Sequence, residues 1–308
     1  MTTISLLAPK RFPTLPEIAG VKLAAGACGL RYKGRSDVML AELAAGTAIA
    51  GVFTRSLTAA APIDWCRAAL KSGRVRAIVV NSGNANAFTG RVGELAVQDT
   101  VKAAAKVIGC QKNQIFVSST GVIGEPLPVE RLTKALPRLK EKLSPKSWKA
   151  AATAIMTTDT FPKGATRAAE IDGVTVTLNG FSKGSGMIAP DMATMLGYVF
   201  TDAKIAQPVL QKALTAATDK SFNAITVDSD TSTSDTVLLC ATGKARHREV
   251  SALGDPRFKD FRRALGSIMV DLAQQIVRDG EGASKFVEVT VTGAASSTAA
   301  KTIALSIA

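Results

Sequence analysis

The stretch KGSGMIAPDMATML, Lys183 to Leu196, places the tightest constraint on any fold this chain adopts. It runs from a glycine-rich turn through Pro190 into the Ala193–Thr194 bond, and a strand-like run, Thr194 to Phe200, follows. Gly184 and Gly186 admit backbone angles closed to other residues, and Pro190 fixes φ just ahead of the presented segment. Such a loop delivers a threonine hydroxyl to a fixed place at the start of a strand. A threonine alcohol is a weak nucleophile unless a base lies beside it, and cutting the chain before Thr194 would turn its own α-amine into that base. An α-amine titrates near ~7.7–8, so a usable fraction is unprotonated at neutral pH. The same pattern also describes an ordinary loop running into a core strand, and spacing alone does not choose between the two.

The 308 residues are 46% hydrophobic, enough to bury a large core as one big domain or two modest ones. There is no apolar run of about eighteen residues, so a membrane span is not expected. The N-terminal MTTISLLAPKRF carries its charges after a short apolar stretch, which is not the layout of a secretory signal. Cys28, Cys66, Cys110 and Cys240 are scattered and form no metal-type pair. They read as small buried thiols in a reducing compartment, most simply the cytoplasm.

The formal net charge is +13, and residues 1–193 hold 25 basic and 13 acidic residues against 13 and 12 in residues 194–308. Much of the excess lies in Arg131 to Lys149 at the spacing of a solvated helix face. With only two Trp and two Tyr, stacking platforms for single strands are scarce. A nucleic-acid partner is therefore not expected, and a general field favouring anionic substrates is the more economical use of the charge.

Alternating patterns dominate the rest of the chain. RAIVVN, Arg76 to Asn81, predicts a buried strand, Gly93 to Ile108 an amphipathic helix, and Ile115 to Ser119 a short strand leading into Gly121. Helices are predicted over Val129 to Leu143 and Trp148 to Met156, separated by Ser144-Pro145. Asp172-Gly173 signals a hairpin. A helix is predicted to start at Thr201-Asp202 and end near Lys220, and two strands to flank a polar loop at 228–236. A long helix follows, Arg257 to Arg278, then a DGEG turn, a strand from Lys285 to Thr292, and an apolar-periodic helix from Ser297 to Ala308. Asp228, Asp230 and Asp235 alternate with Ser and Thr but lack the glycine and closing glutamate of an EF-hand, so they predict a hydrogen-bonded loop. Gly83, Asn84 and Asn86 lack the Lys-Ser/Thr pair of a phosphate loop. The only histidine, His247, lies between Arg246 and Arg248 and reads as a surface residue, which disfavours His-activated Ser or Cys chemistry.

The 183–196 segment closely resembles the self-cleavage site of the ornithine acetyltransferase family, the bifunctional glutamate N-acetyltransferases of arginine biosynthesis. SSTGVIGEPLP (Ser118 to Pro128), MTTDTFPK (Met156 to Lys163), VDSDTSTSDT (Val227 to Thr236) and RDGEGASKF (Arg278 to Phe286) resemble further family segments in the same order. The resemblance runs from about Thr47 to the end of the chain. It implies a layered α/β sandwich shared with self-processing aminopeptidases, cut between Ala193 and Thr194 into an α chain, 1–193, and a β chain, 194–308. It implies Thr194 as nucleophile, Thr120 and Gly121 as oxyanion hole, and Thr157, Lys183, Thr194 and Glu281 as substrate contacts. The implied substrates are acetylornithine and glutamate, with acetyl-CoA a possible second donor, no cofactor and no metal, and an α2β2 heterotetramer. Without the resemblance, Thr157 with Thr158 and Thr160 would read as helix-end caps, Lys183 and Glu281 as solvated charges, and Thr120-Gly121 as a strand-end turn. Family members continue past the point matched by Ala308, with an asparagine and a threonine or serine that contact substrate. The resemblance therefore also implies a chain incomplete at its C-terminus, and leaves a self-processing aminopeptidase or an inactive relative as alternative readings.

Overall fold

A computed structural model describes residues 3–188 and 195–308. Two sheets lie at the centre. The first is built from β1 (Val21–Gly26), β2 (Val38–Leu43), β4 (Ala77–Asn84) and β5 (Ile115–Val122), antiparallel except for the parallel β4/β5 pair. The second has the order β3 (Ala48–Phe53), β9 (Thr236–Ala241), β8 (Leu196–Thr201), β7 (Val174–Lys183), β6 (Lys163–Ile171), with β8/β9 parallel.

Side-chain alternation explains why the sheets stack. On β8, Leu196, Tyr198 and Phe200 face the first sheet while Val199 faces away; on β9, Leu238 and Cys240 face inward while Val237, Leu239 and Ala241 face outward. Period-two placement with both sets buried demands a cover on each side. The outer cover is α5 (Gln207–Asp219), packed on β3, and α6 (Lys259–Arg278), packed on β6 and β7. On the first sheet, α1 (Ala61–Leu70) and α2 (Gly90–Ile108) pack on β5, and α3 (Val129–Glu141) on β1 and β2. Helix α4 (Trp148–Ala154) brings Trp148 edge-on to Phe181 and Phe200, with ring centroids 6.4 and 5.7 Å apart. The result is the layered α/β sandwich expected from the sequence.

Several expectations need correction. The helix expected at Thr201-Asp202 begins only at Gln207, because Thr201 closes β8 and Pro208 supplies the helix's first turn. One strand, not two, borders the 228–236 loop; the residues before it form a 3-10 turn, Phe222–Ala224, and then irregular chain. Residues 285–292 form no strand, since no neighbour among the described residues offers a ladder, and Val287 is exposed. Of the cysteines, Cys66 and Cys240 are buried, whereas Cys28 and Cys110 are half-exposed. Burial pushes the Cys66 thiol up to about 12. His247 is also buried, against the surface reading: its Nε2 accepts the Lys204 N–H at 3.0 Å and its Nδ1 donates to the Arg248 carbonyl at 2.8 Å. An imidazole placed between two arginines serves here as a backbone clamp because it offers one donor and one acceptor. The last helix, α7 (Ser297–Ile307), is capped by the Ser296 hydroxyl.

Candidate active site

The site forms where the two sheets' strand ends meet. On the first sheet, β4 and β5 run in parallel to Asn84 and Val122, with a register shift at Gly83/Asn84. Gly121 sits opposite Gly83 at φ +134°, and a Cβ there would lie 2.3 Å from the Gly83 carbonyl carbon and 2.5 Å from the Asn84 nitrogen. No side chain fits, so glycine is what lets the two strands close up at this point. The polar run after β4 frames it. Ser119 donates to Asn81 Oδ1 at 2.7 Å, Asn81 donates to the Asn84 carbonyl at 2.8 Å, and Asn84 Oδ1 accepts the Asn86 N–H at 2.8 Å.

On the second sheet, Lys183 ends β7 and pairs with Leu196 at the start of β8. Its side chain is buried, and Nζ donates to Thr120 Oγ1 at 3.3 Å, so one hydrogen bond joins the two sheets. Burial lowers the Lys183 pKa, opposed by the nearby acids Asp159, Asp235 and Glu281.

The connection from β7 to β8 is gripped at both shoulders. On the entering side, Met187 and Ile188 donate their N–H groups to Asp228, the second at 2.7 Å, and the Ile188 carbonyl accepts from Val227 N–H at 2.8 Å. On the leaving side, the Met195 N–H donates to Asp235 Oδ1 at 2.9 Å and the Met195 carbonyl accepts from Thr236 N–H at 3.1 Å. The acidic 228–236 loop is thus a hydrogen-bonded brace, as its sequence suggested. Asp235 is fully buried, its Oδ2 has no hydrogen-bond partner among the described residues, and burial raises its pKa well above the carboxylate range. Ala193 and Thr194, the expected cleavage pair and nucleophile, lie outside the described residues.

The remaining expected contacts converge on the same place. Half-buried Thr157 donates its N–H to Asp159 Oδ2 at 3.0 Å. Glu281 donates its N–H to the Ser185 carbonyl at 3.0 Å, and a Cβ on Gly186 would lie 2.7 Å from Glu281 Oε1. Glycine at 186 therefore lets the acid of the DGEG turn lie against the turn after Lys183. Thr120, Gly121, Thr157, Lys183 and Glu281, far apart in sequence, surround one region. Residues that sequence reasoning passed over, Asp159, Lys163 and Asp279, hold it together with Asp228 and Asp235 of the expected hydrogen-bonded loop. Lys163 is buried between two acids, Asp159 at 2.7 Å and Asp279 at 2.5 Å. Asp159 and Lys163 stand four apart in one quoted motif and Asp279 is the second residue of another, a signal visible only as charged residues without an assigned task. No group of His, Cys, Asp and Glu that could hold a metal occurs among the described residues, and no helix among them is long and apolar enough to cross a membrane.

Residues 22–308 match the model of the ArgJ family. The arginine biosynthesis bifunctional protein ArgJ of Bradyrhizobium diazoefficiens is 54% identical over 310 residues, covering 100% of this chain and 75% of that protein. The protein of the same name from Mesorhizobium japonicum is 56% identical with the same coverage. Among solved structures, arginine biosynthesis bifunctional protein argJ of Bacillus halodurans matches with 31% identity and a TM-score of 0.51, over 57% of this chain and 92% of that one. On the family model and the first two relatives, which span nearly the whole sequence, the chain belongs to the ArgJ family.

Proposed function

We propose that this chain is an acetyltransferase of arginine biosynthesis that moves the acetyl group of N2-acetylornithine to glutamate through an ester on Thr194. The reading is carried by the Lys183 Nζ to Thr120 Oγ1 bond, which places a cation and a hydroxyl donor together at the entrance to the 183–196 segment. In the first half-reaction Thr194 Oγ attacks the acetyl carbonyl carbon. The oxyanion that forms is held by Thr120 and Gly121, because donors fixed in advance stabilise charge at no cost of reorganisation. Collapse breaks the C–N bond, and the departing α-amine of ornithine takes up the proton that Thr194 gave its base. Glutamate then attacks the acetyl ester with its amine, giving N-acetylglutamate and free Thr194. Lys183 binds an amino-acid carboxylate as a point charge, Glu281 the side-chain ammonium of ornithine, and Thr157 a polar edge of the substrate.

The base is the α-amine of Thr194, freed by self-cleavage. Thr194 Oγ attacks the Ala193 carbonyl, the peptide C–N bond breaks, and the proton passes from hydroxyl to nitrogen. Water opens the resulting ester, leaving an α chain of residues 1–193 and a β chain of residues 194–308. The solved B. halodurans chain supports this reading, since 92% of it is accounted for by only 57% of this one. Assembly as α2β2, a cytoplasmic location, and use of acetyl-CoA as a second donor without any resident cofactor belong to the same proposal.

Intact mass spectrometry with a denaturing gel tests it. Two fragments meeting at Ala193/Thr194, abolished by Thr194→Ala together with acetyl transfer, are expected; a transfer-active Thr194→Ala chain would overturn the nucleophile. Release of free amino acids from peptides with no acceptor present would instead favour the aminopeptidase reading.

A further inference from the structure

The mechanism above gives no task to Asp159, Lys163 or Asp279, yet all three are buried. Their hydrogen bonds lead outward to the three segments that carry the substrate contacts. Asp159 Oδ2 accepts the Thr157 N–H, and its Oδ1 accepts both Lys163 Nζ and the Gly184 N–H at 2.7 Å, beside Lys183. Asp279 Oδ2 accepts Lys163 Nζ and the Thr160 N–H at 2.9 Å, and its Oδ1 accepts the Thr160 hydroxyl. The Asp279 carbonyl accepts the Ser185 hydroxyl at 2.6 Å, and the Ser185 carbonyl in turn takes the Glu281 N–H. A tie needed only for stability is served as well by apolar side chains. Apolar side chains could not accept N–H groups from Thr157, Thr160 and Gly184 at fixed points.

We propose that Asp159 is a positioning residue for substrate binding, fixing the backbone that carries Thr157 and Lys183, with Lys163 and Asp279 extending the same brace to the Glu281 turn. The assignment rests on the reading of those three residues as substrate contacts. A second effect is electrostatic. The titratable groups around the Lys183 ammonium are Asp159, Lys163, Asp235 and Glu281; burial and Lys163 disfavour its charge, Asp159 is foremost among the acids that favour it, and Asp235 adds to them only where it ionises. Burial alone would raise the Asp159 carboxyl, but Lys163, Lys183 and the Gly184 N–H outweigh it and keep the group ionised well below the usual range.

The test uses the complete purified enzyme and its Asp159→Asn variant, in which Lys163 keeps Asp279 as a partner. KM for both acetylornithine and glutamate is expected to rise roughly tenfold or more while kcat changes by less than about threefold. The basic limb of the kcat/KM profile should move to lower pH, because Lys183 loses its nearest counter-charge and gives up its proton more readily. Asp159→Glu, which restores the charge on a longer arm, should return the basic limb towards its original position with KM still raised. Unchanged KM and an unmoved limb in Asp159→Asn would overturn the assignment, as would losses that merely follow the folded fraction. Lys183→Ala separates the levels: if it leaves KM unaltered, the substrate-contact reading falls and this assignment with it. If it raises KM while Asp159→Asn does not, only the assignment falls.

Discussion

A methyl group added at Gly121 would meet the backbone of the neighbouring strand, not a side chain that can swing away. Its φ of +134° is also a conformation that L side chains rarely adopt. Gly121→Ala should therefore destabilise the chain by about 2–5 kcal/mol, read as a shift in the denaturation midpoint. Asp235 poses a different single-residue question. Burial keeps its carboxyl protonated in the folded chain over a range in which an unfolded aspartate is ionised. The unfolded state then binds fewer protons, so this residue's contribution is present at low pH and is lost as pH rises towards the raised folded pKa. Asp235→Asn, which retains an oxygen to accept the Met195 N–H, should gain stability relative to the parent as pH rises from about 4 to 7. Parallel stability-against-pH curves for the two would refute this.

At the scale of elements, the legible parts of the sequence were those with local chemistry. Asp172 and Gly173, both with positive φ, make the two-residue turn between β6 and β7, as their identities require. Helices α2, α3 and α4 follow from apolar periodicity. Strands β1 to β3 were not foreseen, because short Ala- and Gly-rich runs such as VKLAAG and AIAGVF become strands only through partners elsewhere in the chain. The reverse error occurred at residues 285–292, whose alternation is that of a strand but which have no ladder to join. For the proposed site, motif resemblance singled out Thr120, Gly121, Thr157, Lys183 and Glu281. The brace behind them stayed hidden, since whether an Asp accepts backbone N–H groups depends on contacts across more than a hundred residues, as between Asp279 and Thr160. Helix α4 shows how much one element can carry. Trp148 is its anchor between the sheets, so Trp148→Ala should cost about 3–5 kcal/mol and lower the melting temperature without altering where the chain is cut.

For the whole molecule, the decisive feature is strand order. In the second sheet β9 and β8, which follow residue 194, lie between β3 and β7, which precede it. The proposed cut at Ala193/Thr194 would thus sever a connection without freeing either piece. Each fragment contributes strands that the other holds by backbone ladders on two edges, Ala48–Phe53 with Thr236–Ala241 and Leu178–Lys183 with Leu196–Thr201. The cut protein should elute as one species on size exclusion and separate only in denaturant; two native peaks would contradict the interleaving.

The same order bears on how the chain is made. Ile49 must wait for Cys240 before its strand has a ladder to join, and Asp235, which holds the Met195 amide, arrives on the ribosome barely ahead of that strand. A nascent chain thus reaches the length of the proposed scissile bond with the gripping loop still unsynthesised. A cut at the proposed bond would then serve as a receipt for assembly, signed after the last strand of the sheet has been threaded into place.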